Sequence, residues 1–255
     1  MAELDRYSGI VMINCCVVIP STIFPKQGKD KSILKSVYSG EERLIQTQKT
    51  VESLKALGYE TIYLFDNSGK EHQELLEREF SDVLLKTFDH YQYDNKGISE
   101  TLLLLEGIKY IPESCSIMKL SGRYQLLRRL ELDTSKYDLA AKIYEHKSGV
   151  LFRKKTMATR CYLFKNRAIY ELYLIQLLEE MYSYSARIVG FGSFKRFFFN
   201  QFIPAKNTYS YFHPALSVEA ASIRVLKRLN LNLCKLDNIG LRGLAGTFDN
   251  HVIED

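Results

Sequence analysis

Apolar residues along this chain fall into two arrangements: short unbroken runs, and longer stretches where they recur every three or four positions. Residues 11–20 are the first run, expected to form a buried strand ending at Pro20. A polar, lysine-rich loop fills 21–40, longer than an ordinary strand-to-helix connection. Leu44, Val51, Leu54 and Leu57 then share one helical face, which predicts a helix over 41–57 closed by Gly58. Further strands are predicted at 61–65, 82–87 and 116–120, and further helices at 71–80 and 98–111. This strand–helix alternation predicts an α/β fold: a Rossmann-like, mostly parallel sheet with right-handed connections and helices on both faces. After residue 124 the rhythm changes. Strands are predicted at 137–144, 149–152 and 160–164, and helices at 167–184 and 217–229. The predicted organisation is a core over 1–165 and a helical, basic C-terminal region, 166–255, of the same domain.

Charge sharpens this division. Residues 1–150 carry 20 Lys and Arg against 22 Asp and Glu, whereas 151–236 carry 14 against 4. A basic excess so placed favours an anionic partner on the later half of the chain. No apolar run approaches the roughly 20 residues that span a bilayer, and the first residues are acidic where a signal peptide would be basic. Cysteines 15, 16, 115, 161 and 234 show no CxxC spacing. They are expected to be reduced core thiols of a cytoplasmic protein rather than metal ligands.

The ends of the predicted parallel strands are where an α/β sheet places ligands. No GxxxxGK[ST] and no GxGxxG follows the first strand, which argues against a P-loop and a dinucleotide site. That strand ends in Pro20-Ser21-Thr22. The second ends in Asp66-Asn67-Ser68, where Asp66 either accepts hydrogen bonds from a base or ribose or closes an Asx-turn. Asn95-Lys96-Gly97-Ile98-Ser99-Glu100 opens the third crossover helix, suited to an anion or simply to helix initiation. The fourth strand runs into Lys119-Leu120-Ser121-Gly122-Arg123-Tyr124, a turn that brings backbone close to a ligand and carries a guanidinium able to grip phosphate.

These four features, in this order over about residues 11–165, resemble the GT-A-type nucleotide-sugar glycosyltransferases, in particular small bacterial enzymes that build capsule, O-antigen or lipooligosaccharide. The resemblance implies a sugar transferred from a nucleotide-activated donor to a glycan or lipid-linked glycan. It places Pro20, Ser21, Asp66 and Asn67 beside the nucleotide, Lys96 and Glu100 near the donor, and Lys119, Ser121, Gly122 and Arg123 at the diphosphate and sugar. Most such enzymes hold Mn²⁺ or Mg²⁺ on an Asp-x-Asp at that fourth strand end. The stretch here has no carboxylate, so the expectation is a site without a metal or other cofactor, with Arg123 and Lys119 stabilising the leaving phosphate. Mg²⁺ or Mn²⁺ use is the alternative, and a CMP-activated sugar is then as suitable a donor as a diphosphate one.

An inverting transferase also needs a base. Glu179, Glu180, Asp94 and His213 are the candidates. The phenylalanine-rich, basic stretch 191–203 is either a core helix or a contact with the inner face of the cytoplasmic membrane beside a lipid-linked acceptor. No RNA-binding signature accompanies it, so no nucleic-acid partner is expected. A non-catalytic nucleotide- or glycan-binding subunit is the main competing reading. A nucleotidyltransferase would want a Gly-rich, Arg-bearing loop straight after the first strand, where this chain has Pro20 to Pro25.

Overall fold

The computed structural model describes residues 15–25, 38–90, 95–148, 152–183, 216–244 and 252–254. Four parallel strands form its centre: β1 (Cys15–Ser21), β2 (Ile62–Asp66), β3 (Leu84–Thr87) and β4 (Ser116–Leu120). All five residues of β2 and of β4 are buried, which is why they read in the sequence as unbroken apolar runs. The seven-stranded sheet has the order β3-β2-β1-β4-β7-β6-β8, with β6 (Leu139–Ser148), β7 (Phe152–Phe164) and β8 (Leu233–Lys235) completing it. Only β7 runs against its neighbours, since β6 pairs antiparallel with β7 and parallel with β8.

Successive residues of the central strands point to opposite faces. Val17, Ile19, Leu64, Met118 and Leu120 pack with Val51 and Leu54 of helix α1 (Gly40–Ala56). Cys16, Val18, Phe65 and Ile117 pack with Ile98, Leu103 and Leu104 of α3 (Lys96–Gly107), and with α4 (Arg167–Ser183) and α5 (Val218–Arg228). The helix α2 (Gln73–Glu79) follows a 3-10 turn at Lys70–His72. Where α1 begins is set by a capping box. Glu42 N–H donates to Ser39 Oγ at 3.2 Å and Ser39 N–H donates to Glu42 Oε2 at 2.7 Å.

Packing between sheet and α3 is closest at Gly107. A Cβ there would lie 2.3 Å from Phe65 Cδ2 and Cε2. Phe65 is fully buried, with Phe88 edge-on to its ring, and has nowhere to retreat. Gly107→Ala is therefore expected to cost about 1–3 kcal/mol of stability by overpacking. A urea titration that shows no loss would mean α3 can shift outward.

The later half differs in part from its sequence-based reading. The strands predicted at 149–152 and 160–164 are one long strand, β7, which pairs with β6 as a hairpin. Its register breaks between Ala141↔Tyr162 and Ile143↔Met157, so residues 158–161 bulge against a single β6 residue. The C-terminal region also holds strands that periodicity misses. Beside β8, β9 (Leu241–Leu244) and β10 (Val252–Glu254) join β5 (Tyr124–Leu126) in a three-stranded antiparallel sheet. At three or four residues these are too short to show an apolar period. The predicted stretch 191–203 lies outside the described residues. Among the described residues, no helix is long and apolar enough to cross a membrane.

Candidate functional site

The chain runs outward from β1 to β2 and β3, then returns to place β4 on the other side of β1. Strand order therefore reverses between β1 and β4, and an open crevice at the carboxyl ends of those strands is the usual ligand position. Helices α1 and α3 lie on opposite faces and both start over this edge, because each runs back against the strand before it.

The turn after β4 forms the floor. Ser121 N–H donates to Arg160 O at 2.8 Å, and the N–H groups of Arg123 and Tyr124 donate to Ser121 O at 2.8 and 3.2 Å. Thr47 Oγ1 of α1 donates to Gly122 O at 3.1 Å. A Cβ at Gly122 would come within 3.2 Å of both Ile19 Cγ2 and Thr47 Oγ1, so glycine lets α1, β1 and the turn close on one another.

Three cations gather here: Arg43 from α1, Lys96 from the start of α3 and Arg123 from the turn. Burial, then the Arg123 charge, lowers the Arg43 pKa to about 10, with Asp66 acting in the opposite direction. Burial lowers that of Lys96 too, followed by Arg123 and then Arg43. Among the described residues, no carboxylate lies within ion-pair distance of any of the three. Arg43 and Arg123 are half-buried and Lys96 is exposed, and cations that repel one another in this way are unfavourable unless an anion joins them. Arg43 is absent from the sequence-based candidates. It follows two glutamates in a polar helix start and looks like part of a solvated face. The signal that finds it is topological, since the helix after β1 must begin over the ligand edge.

Other predicted residues have different places. Lys119 is 1% exposed and points away from the crevice, into the sheet face covered by α3. Its ammonium meets Glu100 Oε1 at 2.7 Å, Ser121 Oγ at 2.9 Å and Thr159 O at 2.5 Å, which uses all three N–H donors and leaves none for phosphate. Asp66 is fully buried, and its carboxylate accepts from Ile23 N–H at 2.9 Å and Ser68 N–H at 2.8 Å. It thus closes the Asx-turn and clamps the loop after β1 rather than facing a base. Asn67 ties β2 to the end of β3, accepting from His90 N–H at 2.7 Å. Ser21 O accepts from Asn67 N–H at 3.0 Å, so Pro20 and Ser21 end β1 against the same turn. At the start of α3, Asn95 Oδ1 accepts from the N–H groups of Gly97 and Ile98 at 2.9 and 3.2 Å. Those two donors serve the cap, and the Lys96 side chain remains for an anion.

Behind Lys119 lies a polar lining within the core. Tyr162, Tyr170 and Tyr173 are buried, with Tyr162 and Tyr170 hydroxyls 3.3 Å apart and Tyr173 OH 2.7 Å from Ser222 Oγ. Burial pushes all three phenols up, so they stay neutral.

The base candidates separate. Glu180 is 3% exposed, and its two oxygens accept from Arg224 at 3.3 Å and Arg228 at 3.4 Å. Glu179 is exposed and pairs with Arg228 at 3.7 Å. Both face α5, and part of the C-terminal basic excess is spent inside the fold on them. Asp94 and His213 lie outside the described residues. No cluster of three or more His, Cys, Asp or Glu side chains suited to a metal exists among the described residues. The described side chains gathered at this edge do not fit a divalent cation, because Arg43, Lys96 and Arg123 are themselves cations.

No family model matches the chain, and no curated protein matches it either. Solved structures with a similar backbone include a CTP:phosphocholine cytidylyltransferase from Streptococcus pneumoniae, at 13% identity and TM-score 0.47, covering 92% of this chain and 95% of that one. Another is a nucleoside-diphosphate-sugar pyrophosphorylase from Vibrio cholerae RC9, at 11% identity and TM-score 0.44, covering 86% and 90%. A galactosyltransferase solved with donor and acceptor sugar analogues is similar at 10% identity and TM-score 0.44, covering 86% and 72%.

Proposed function

We propose that this chain is a glycosyltransferase that moves a sugar from a nucleotide-activated donor to a glycan or lipid-linked glycan of a bacterial surface polysaccharide. The convergence of Arg43, Lys96 and Arg123 at the strand-order reversal, with no carboxylate in ion-pair distance among the described residues, carries this reading. Two guanidiniums and an ammonium suit the phosphates of such a donor, since a guanidinium takes two phosphate oxygens at once. As the donor's bond to the sugar breaks, charge grows on the leaving phosphate, and cations already in place stabilise it most at that moment. Lys119 contributes indirectly: by holding Ser121 and Thr159 it fixes the turn that aims Arg123. A cytoplasmic enzyme at the inner face of the membrane, where lipid-linked acceptors are found, accords with this reading.

The test is thermal stabilisation by UDP-, GDP-, dTDP- and CMP-sugars with Mn²⁺ or with EDTA. At least one donor is expected to raise the melting temperature, as a ligand at 100 times its Kd adds about 2.7 kcal/mol. Transfer is expected to persist in EDTA. Stabilisation or transfer that vanishes in EDTA and returns with Mn²⁺ would refute a cation-only site. Pyrophosphate release from a nucleoside triphosphate and a sugar phosphate would instead mark a nucleotidyltransferase.

A further inference from the structure

The bulge in β7 carries a second set of contacts at the same edge. Thr159 sits in it, its carbonyl accepting from Lys119 and its Oγ1 donating to Glu219 Oε1 at 3.4 Å. Glu219 is half-buried in the first turn of α5, which Ser217 caps through Ala220 N–H at 3.4 Å. Its neighbour Val218 packs against the start of α3, so closely that a Cβ on Gly97 would be 2.9 Å from Val218 Cβ. Gly97 adjoins Lys96. Glu219 thus lies at the same edge on the β7 and α5 side, one residue from the contact with the start of α3, while Arg43 and Arg123 come from α1 and the turn after β4.

The carboxylates around this part of the edge are not equivalent. Asp66 is held by two backbone N–H groups, and Glu100 by the Lys119 ammonium at 2.7 Å. Among the described residues, Glu219 has one hydroxyl contact, at 3.4 Å and on one oxygen. A general base needs a lone pair that no strong donor already occupies and a place opposite the leaving group. Glu219 has both.

Building on the donor-site reading above, we propose that Glu219 is the catalytic base of an inverting transfer. Its carboxylate takes the proton of the acceptor hydroxyl as that oxygen attacks the anomeric carbon. The bond from that carbon to the phosphate oxygen breaks, and its electron pair leaves with the nucleotide, whose charge the three cations receive. Thr159 orients the carboxylate through the oxygen that does not accept the proton.

The experiment compares wild type with Glu219→Gln, using whichever donor of the panel stabilises the protein most and water as the simplest acceptor. Glutamine still accepts from Thr159, so the fold is expected to keep its melting temperature, and Glu219→Ala serves as a second variant. Donor hydrolysis is read as nucleotide release, donor affinity by titration calorimetry, and the anomer of the released sugar by NMR at early times. The expected result is donor affinity within about threefold of wild type, hydrolysis reduced at least ~100-fold, and an inverted anomer from wild type. Hydrolysis within about fivefold of wild type in both variants overturns the assignment, as does a retained anomer. An equal loss of affinity and hydrolysis also overturns it, because Glu219 would then bind donor. If wild type binds no donor, the donor-site reading itself fails and Glu219 falls with it. If wild type binds donor but never cleaves it, the chain is a binding subunit without a base.

Discussion

Arg43→Ala combined with Arg123→Ala is expected to lower affinity for a diphosphate-activated donor by about 10²–10⁴-fold, since each charged hydrogen bond to phosphate contributes roughly 1.5–3 kcal/mol. Each single variant should lose about 10–100-fold by the same reckoning. Arg123→Lys keeps the charge but not the two-pronged grip, and should recover only part of the loss. The more telling measurement is the stability of the unliganded double variant. These guanidiniums repel each other and Lys96, and no described carboxylate pairs with them. Their removal should therefore leave the melting temperature unchanged or raise it, the pattern of a site kept at the expense of stability. A structural role predicts the reverse. A double variant that melts earlier and still binds donor would show that the cluster holds the fold together and is not the phosphate site. The affinity of wild type should also fall as salt rises, because the contact is between charges.

Asp66→Ala is expected to act on the fold. It removes the acceptor from two backbone N–H groups, Ile23 and Ser68, in a place where Asp66 is fully buried. Each unsatisfied N–H costs about 1–3 kcal/mol, so the variant should lose about 2–5 kcal/mol. For a chain of this size that is on the order of 10 °C in melting temperature. Asp66→Asn keeps one carbonyl acceptor and should lose roughly half as much. The loop from Thr22 to Pro25 leans on the same turn, since Phe24 N–H donates to Ser68 Oγ at 2.8 Å. Faster proteolysis of Asp66→Ala at that loop would follow. A variant that keeps full stability but loses nucleotide binding would restore Asp66 to the ligand.

The two predictions concern one edge, yet only part of it could be read from the chain. The parallel centre was legible because β1, β2 and β4 are buried on both faces, so burial leaves an unbroken apolar signature. The turn Ser121-Gly122-Arg123 was legible because a small residue and glycine right after such a strand have few other uses. Lys119 was placed at the correct strand end but on the wrong side. Strand residues alternate between faces, and its partners Glu100 and Thr159 lie 19 residues before it and 40 after it, beyond any local pattern. Asp66 was recognised with two roles, and the structure selects the Asx-turn because the loop after β1 supplies a second buried donor. Arg43 and Glu219, the residues proposed above for phosphate and base, both escape a sequence reading for one reason. Each sits in the first turn of a helix among polar residues, where solvated and site-facing side chains look alike until topology says which helix starts lie over the ligand edge. The hairpin of β6 and β7 was divided wrongly because its bulge breaks the alternation in mid-strand.

That bulge has a consequence for how the sheet tolerates change in length. Residues 158–161 face a single residue of β6, so β7 there is slack relative to its partner. A one-residue deletion at 158–159 would leave the Ile143↔Met157 pairing with β6 and the Leu120↔Cys161 pairing with β4 in register and the sheet intact. It would withdraw the Thr159 carbonyl from Lys119. The molecule would still fold, with its ligand edge out of alignment, so loop-length variation in this strand is a route by which a chain of this kind alters activity while keeping its architecture.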